Sequence, residues 1–561
     1  MSRKRVKIPA PVPPPQPQQD SALLVLLERR ALLLALLFLA IGCARIVATY
    51  NVFSTTADEP AHIACGMEYV ANHVYKLETQ HPPLTRAMVA VLPYLNGTRP
   101  RGIPNFQNEG WALITYEQHP DTTVFLMRLG NLPFFVLGGV VVFVWARRYF
   151  GGATAAIATL LYSLLPPILA HAGLATTDMG LAACLGAAFL AAIVWAEEPT
   201  TRHALLFGLF SALAVLSKFT ALGFYPLGLG IALLCYLAVE RPGVTRILRL
   251  VRDRAPSFGI ALAAGVFVWW AAYYFSFGKV PHWNSSIAVP APEFFDGIEV
   301  ALRHNRQGHA SFLLGEISNF GWWYYFPVAL AVKTPIAYLV LLAGGLALCW
   351  RERRRLPWLL PLAFALGVLA PSMTGHINIG VRHILPVYLA FSILGALALV
   401  RLLRWEGRWA VPAAAVLMLW LAFVGVLHHP DYIPYFNEFV SNPETVLLDS
   451  NYDWGQDLKR VAARLHQLGA QWVNYGYLNG ADGPFLEAYP GLPKIHPIHP
   501  LEPAEGWTVV SPTMHRTTQY GLEYRYPDMR PWFEVIAPQE HIGTQSLYYI
   551  PPGTLKRVPV K

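Results

Sequence analysis

Ala31-Leu32-Leu33-Leu34-Ala35-Leu36-Leu37-Phe38-Leu39-Ala40-Ile41 lies within an apolar run over residues 30–49, and about ten residues beyond that run comes Thr55-Thr56-Ala57-Asp58-Glu59-Pro60-Ala61-His62. A run of that length matches the ~20 apolar residues needed to cross a bilayer. Two carboxylates just outside such a helix are costly unless something uses them. A second signal follows in the same loop, His81-Pro82-Pro83-Leu84, a rigid turn that fixes an imidazole near the membrane surface. Together they suggest a membrane enzyme with its working loop at the outer face rather than a channel or carrier.

Composition agrees with a membrane protein. Of 561 residues, 54% are hydrophobic and 14% charged, against roughly 25% charged in soluble chains. The net charge of +9 is not a nucleic-acid signature. Its arginines cluster in short segments between apolar runs, at Arg147-Arg148, Arg241 to Arg254, Arg351 to Arg355 and Arg401 to Arg408, which is the positive-inside pattern. Five cysteines, none beyond Cys349, supply no disulfide framework and no CxxC metal site.

Candidate spans are 30–49, 124–146, 153–171, 177–196, 203–218, 221–239, 257–276, 327–349, 357–373, 381–400 and 409–428. Eleven spans with the N-terminus inside place every arginine cluster on the cytoplasmic side and the C-terminus outside. The expected fold is therefore a polytopic α-helical membrane protein. Residues 1–29 form a basic, proline-rich, disordered cytoplasmic tail, and residues 30–429 a membrane domain with outer loops 50–123 and 277–326. Residues 430–561 form an extracytoplasmic α/β domain, with strands expected at 445–448, 472–475, 507–510, 532–536 and 546–550 and a helix over 457–468. Asn96-Gly97-Thr98 and Asn284-Ser285-Ser286 are N-glycosylation triplets on the outer side.

Several ionisable residues converge on the outer face. Adjacent carboxylates point in different directions, so Asp58 and Glu59 are expected to do different work, and capping of the helix that begins at Pro60 is the plainer alternative. Asp178, in Thr176-Thr177-Asp178, opens the fourth span and stands ready to share a site with Asp58. Arg128, Lys218 and Arg382-His383 also fall at this face, where Arg and Lys suit a lipid phosphate. His309 and Glu316 would complete the pocket from the second loop. Histidines 62, 73 and 81 near two acids keep a divalent metal open, although their spacing matches no tight ligand pattern.

The order of these motifs resembles the GT-C glycosyltransferases of family 39, which include protein O-mannosyltransferases and lipid A aminoarabinose transferases. The resemblance runs through Asp58-Glu59, His81-Pro82-Pro83-Leu84, Met127-Arg128-Leu129, Thr177-Asp178 and Leu216-Ser217-Lys218, and covers roughly residues 30–430 in architecture. Gly308 to Lys333 resembles bacterial members known only as lipid-carrier-dependent glycosyltransferases. The resemblance implies a GT-C fold in the plasma (inner) membrane, a site facing the periplasm or exterior, a polyprenyl-phosphate-linked sugar donor and a lipid, glycan or protein acceptor. It implies Asp58 as general base; by residue type and position, Glu59 and Asp178 are expected to assist and His81, Arg128, Lys218, His309, Glu316, Arg382 and His383 to bind substrate. The mannosyltransferases carry a β-trefoil in an outer loop; this chain has a C-terminal domain instead, so the resemblance does not fix the acceptor. Two rival readings are a flippase for a lipid-linked precursor, which predicts ionisable groups at mid-membrane and repeated halves, and a scaffold whose C-terminal domain does the work.

Overall fold

A computed structural model describes residues 21–283, 287–475, 489, 491–499, 501–526 and 528–555. The expected tail over residues 1–20 and the Asn284 triplet lie outside the described residues. The chain is mainly helical. A broken pair, α1 (Ala22–Arg29) and α2 (Ala31–Val47), leads into an outer loop built of α3 (Glu59–Asn72), α4 (Pro83–Leu95) and α5 (Phe106–Thr115). The first half of the bundle continues with α6 (Pro120–Phe150), α7 (Gly152–Leu164), α8 (Pro166–Ala172), α9 (Asp178–Glu197), α10 (Thr201–Ser217), α11 (Ala221–Glu240) and α12 (Val244–Ala271). A second outer segment holds two short hairpins, β1 (Phe277–Lys279) with β2 (Ala288–Pro290) and β3 (Ser311–Leu313) with β4 (Glu316–Ser318), flanking α13 (Pro292–Gln307). The bundle closes with α14 (Tyr325–Lys333), α15 (Ile336–Arg351), α16 (Leu356–Ser372), α17 (Val387–Leu403) and α18 (Ala410–Leu427).

Every expected apolar run contains helix, but the runs are not eleven straight rods. Among the described residues five helices are long and apolar enough to cross a membrane, or up to eight if each bent pair counts as one span. Helices α7 and α8 meet at 65°, and α14 and α15 at 118°. Proline explains both breaks: Pro166 and Pro335 lack the N–H that would continue the helix ladder, and their rings disfavour helical geometry in the residue before. Helices α10, α16 and α17 are apolar but shorter. The run expected at 257–276 is displaced, because α12 begins at Val244 and ends at Ala271.

The C-terminal region corrects the sequence in two places. Residues 445–448 do not form a strand; a single 3-10 turn, Pro443–Thr445, precedes an isolated bridge between Leu447 and Leu313. Residues 532–535 form a short helix rather than a strand. The expected helix is α19 (Leu458–Gln467), and the sheet consists of β5 (Trp472–Tyr475), β6 (Lys494–Pro497), β7 (Gly506–Val510), β8 (Glu540–Ile542) and β9 (Gln545–Ile550), in the order β6-β5-β7-β9-β8. Strand β5 runs parallel to β6 and β7, and β9 is antiparallel to β7 and β8. The apolar face of α19, Leu458, Val461 and Leu465, packs on Val473, Val509 and Leu547 and also on Trp111 and Ala112 of α5. The C-terminal core therefore includes the first outer loop.

Candidate active site

Glu59 is the first residue of α3 and is fully buried. Its carboxylate accepts from the Thr56 N–H (2.8 Å), the Ala175 N–H (2.8 Å) and Arg128 Nε and Nη2 (2.9 and 2.8 Å). Arg128, also sealed from solvent, spends its remaining donors on the carbonyls of Tyr50, Phe53 and Ser54. This pair corrects two expectations. Arg128 has no donor left for a lipid phosphate, and Glu59 is enclosed where no substrate reaches it. Together they bind the first outer loop to α6 and to the loop before α9.

Asp58 faces the other way. It occupies the N-cap position of α3, yet its side chain caps nothing. Its carboxylate, 36% exposed, instead accepts from Arg382 Nη1 at 2.7 Å. Arg382 lies 3.5 Å from Asp178, and Asp178 accepts from Lys218 Nζ at 2.6 Å. The backbone breaks at both cations explain the convergence. Lys218 is the extended residue that ends α10, and Arg382 lies in a single 3-10 turn, Val381–Ile384, before α17. Asp58, Arg382, Asp178 and Lys218 thus form one chain of alternating charge whose outer end is open. Burial acts to raise the Asp58 carboxyl, but the Arg382 charge, then His62 and the Arg382 hydrogen bond outweigh it and hold the group below the usual carboxylate range.

The histidines line this chain. His62 accepts from Arg86 Nε at 3.2 Å, and its ring lies 5.5 Å from that of His81. Burial, then the Arg86 charge, lowers His62 to about 3 and holds His81 well below its ordinary value, so both are neutral imidazoles. Among the described residues the buried Nδ1 of His81 and Nε2 of His383 have no hydrogen-bond partner. His309 extends a relay in which Gln80 Nε2 meets His304 Nδ1 (2.7 Å) and His304 Nε2 meets His309 Nδ1 (3.3 Å), with Arg382 and Asp58 as its charged neighbours. Glu316 does not join them: it sits on the exposed side of the β3–β4 hairpin, opposite Leu313. Among the described residues no group of three or more His, Cys, Asp or Glu is placed to hold a metal ion, and the two nearest acids, Asp58 and Asp178, are engaged by Arg382 and Lys218.

One wall was not foreseen. Asp449-Ser450-Asn451-Tyr452-Asp453-Trp454-Gly455-Gln456-Asp457 runs through the site from the C-terminal side. Ser450 Oγ accepts from Arg382 Nε (3.1 Å) and donates to the Ile379 carbonyl (2.6 Å). The Trp454 ring lies 4.1 Å under the Arg382 guanidinium. Asn451 accepts from the Val381 N–H (3.0 Å), donates to Tyr325 Oη (2.9 Å), and offers its carbonyl to Lys333 (2.7 Å). The Ser54 and Ala57 N–H groups donate to the carbonyls of Gln456 and Trp454, so the segment is also tied to the Asp58 loop. The available signal was three aspartates, an asparagine and a tryptophan within nine residues that fit neither helical nor strand spacing.

Comparison with known proteins gives three findings. Residues 35–285 match the family model described as dolichyl-phosphate-mannose-protein mannosyltransferase. A comparison with curated proteins found no match. Among solved structures the chain is similar to ArnT from Cupriavidus metallidurans bound to undecaprenyl phosphate, at 15% identity and a TM-score of 0.49, covering 91% of this chain and 97% of that one. It is also similar to the oligosaccharyltransferase AglB from Archaeoglobus fulgidus in complex with an inhibitory peptide and a dolichol-phosphate, at 14% identity and a TM-score of 0.45, covering 84% of this chain and 62% of that one. Asp58, Asp178 and Lys218 thus lie within the segment that matches this family model, in line with the expected resemblance to GT-C glycosyltransferases.

Proposed function

We propose that the protein moves a sugar from a polyprenyl-phosphate carrier to an acceptor at the outer face of the plasma membrane, with Asp58 as general base. The observation that carries this reading is the chain Asp58–Arg382–Asp178–Lys218, a carboxylate open to substrate backed by two buried cations at one face of a helical bundle. A lone pair on the acceptor oxygen or nitrogen attacks the anomeric carbon from the side opposite the carrier. The bond from that carbon to the phosphate oxygen breaks, and its electron pair leaves with the phosphate. The acceptor proton passes to Asp58, which is ionised at neutral pH because Arg382 holds it so. Protonation removes the counter-charge of Arg382 as the phosphate departs, freeing the guanidinium for the new anion. Asp178 keeps Lys218 and Arg382 aligned for it.

Mass spectrometry of glycolipids and glycoproteins in cells with and without the gene tests the reading, with Asp58→Asn as the decisive variant. The expected result is a glycoconjugate that disappears with the gene and falls by about 10²- to 10⁴-fold in rate with Asp58→Asn, at unchanged protein level. Near-normal product from that variant would falsify the assignment of the base.

A further inference from the structure

A cavity of about 730 Å³ lies at the end of the bundle away from Asp58. Helix α11 begins three residues after Lys218 and runs 20 residues to Glu240. At ~1.5 Å per residue it spans ~30 Å, the depth of a bilayer core. Arg241, at its far end, therefore lies on the face opposite the charge chain. One stripe of α11, Ile231, Leu234, Cys235, Ala238 and Val239, lines the cavity together with Leu359 of α16. The stripe is ~12 Å long, close to the ~15 Å of a single leaflet. Arg241 lines the cavity where the stripe ends, and Arg353 and Arg354 line it from the turn between α15 and α16. Among the described residues none of these three arginines pairs with an acid. The ion pair of that turn is Arg355 with Glu352 at 3.5 Å, and Arg148, at the same end of the bundle, is matched by Glu197 and Glu198 at 2.8 and 2.7 Å. Arg353 donates once to the Trp350 carbonyl (2.8 Å), with its guanidinium 4.8 Å from the centre of that ring. Arg241 has a left-handed backbone, φ +45°, at a helix end that glycine fills at less cost. Neither an acid partner nor the backbone accounts for an arginine there.

We propose that this cavity binds an anionic phospholipid of the leaflet opposite the Asp58 face: the arginines hold its phosphate, and one acyl chain lies along the α11 stripe. Arginine suits a phosphate because its planar donors meet two oxygens at once. Three unpaired guanidiniums favour a head group of net negative charge over a zwitterionic one, whose ammonium adds another positive charge. The apolar wall favours a lipid over a free phosphate, and its one-leaflet length fits a phospholipid acyl chain rather than a longer polyprenyl chain. The site is separate from the glycosyl-transfer reading and stands whether or not that reading does.

The competing explanation is that the arginines only set topology and meet whichever lipid is nearby. A saturable, selective site separates the two. Purified full-length protein in detergent is titrated with dioleoylphosphatidylglycerol, dioleoylphosphatidylcholine or glycerol 3-phosphate, and bound molecules are counted by native mass spectrometry. The expected result is one phosphatidylglycerol retained at concentrations at which the other two are not. The triple variant Arg241→Gly/Arg353→Gln/Arg354→Gln should bind it about 10- to 100-fold more weakly, and Arg241→Gly alone about 5-fold. A control, Arg246→Gln/Arg249→Gln/Arg252→Gln, removes as much charge from α12 away from the cavity and should keep wild-type binding. Arg241→Gly relieves a left-handed backbone and the other two positions are exposed, so the melting temperature without lipid should not fall. Equal retention of the two phospholipids, wild-type selectivity in the triple variant, or an equal loss in the α12 control overturns the site. Retention of glycerol 3-phosphate as tight as that of phosphatidylglycerol overturns the lipid as occupant. A parallel loss of undecaprenyl phosphate binding in the triple variant overturns it as well, by giving the cavity to the carrier.

Discussion

Asp58 and Glu59 are neighbours in sequence that serve opposite sides of one backbone. Glu59 turns inward to Arg128, and both are sealed. Removing one partner of a buried pair leaves an uncompensated charge and costs about 3–5 kcal/mol. Arg128→Met and Glu59→Gln should each lower the melting temperature sharply, whereas Asp58→Asn should lower it less, because Arg382 keeps Asp178 as a partner; thermal unfolding in detergent checks the contrast. The sequence indicated that the two acids differ, but not which way each pointed, because that depends on Arg128 and Ala175 arriving from distant helices. Protonation adds a second prediction. Asp449 and Asp453 are raised by burial to about 6, so between pH 3.8 and about 6 the folded state binds more protons than the unfolded one. Their contribution to stability therefore falls as pH rises through that window. Asp58 acts in the opposite sense, and its stabilisation is lost only as pH falls below 3.8. Melting curves of Asp449→Asn against pH should rise relative to wild type above pH 6 and coincide with it at the acid end.

At the scale of elements, the apolar runs were legible because a membrane helix needs only length and hydrophobicity. The bends at Pro166 and Pro335 were not, since proline within an apolar run is tolerated in membrane helices and does not announce a turn of this size. The tail was read less well. Leu447 is buried in the core of the bundle rather than within a sheet, Leu448 beside it is also buried, and apolar burial without periodicity imitates a strand. One close contact controls the site. A Cβ on Gly110 would fall on the Pro60 carbonyl oxygen, so α5 must touch the first turn of α3. Gly110→Ala should push that turn, and Asp58 with it, away from Arg382. The expected outcome is loss of most transfer with protein still in the membrane, read by product assay beside immunoblotting of membranes.

At the scale of the molecule, the site is assembled from both ends of the chain. Residues 58, 178 and 218 were recognisable from motif order, whereas residues 449–457 were not, because their task is defined by contacts with Arg382, Val381 and Ser54 rather than by a pattern of their own. Deleting residues 430–561 should abolish transfer, since Arg382 then loses Ser450 and Trp454. Trp454→Ala should lower it less, by the ~0.5–2 kcal/mol of a cation–π contact. Transfer assays on the two variants side by side give the ranking; equal activity in the truncated protein would mean that the tail is dispensable.

The wall formed by Asp449–Asp457 has a consequence in time. The ribosome makes the Asp58 loop early and its opposing wall only after the whole bundle has been written. A nascent chain therefore inserts Asp58, Asp178, Lys218 and Arg382 while the site still lacks one side. On the proposed function, transfer is then expected to begin only when the last segment has reached the same face and met Arg382, so partly synthesised molecules should be inactive.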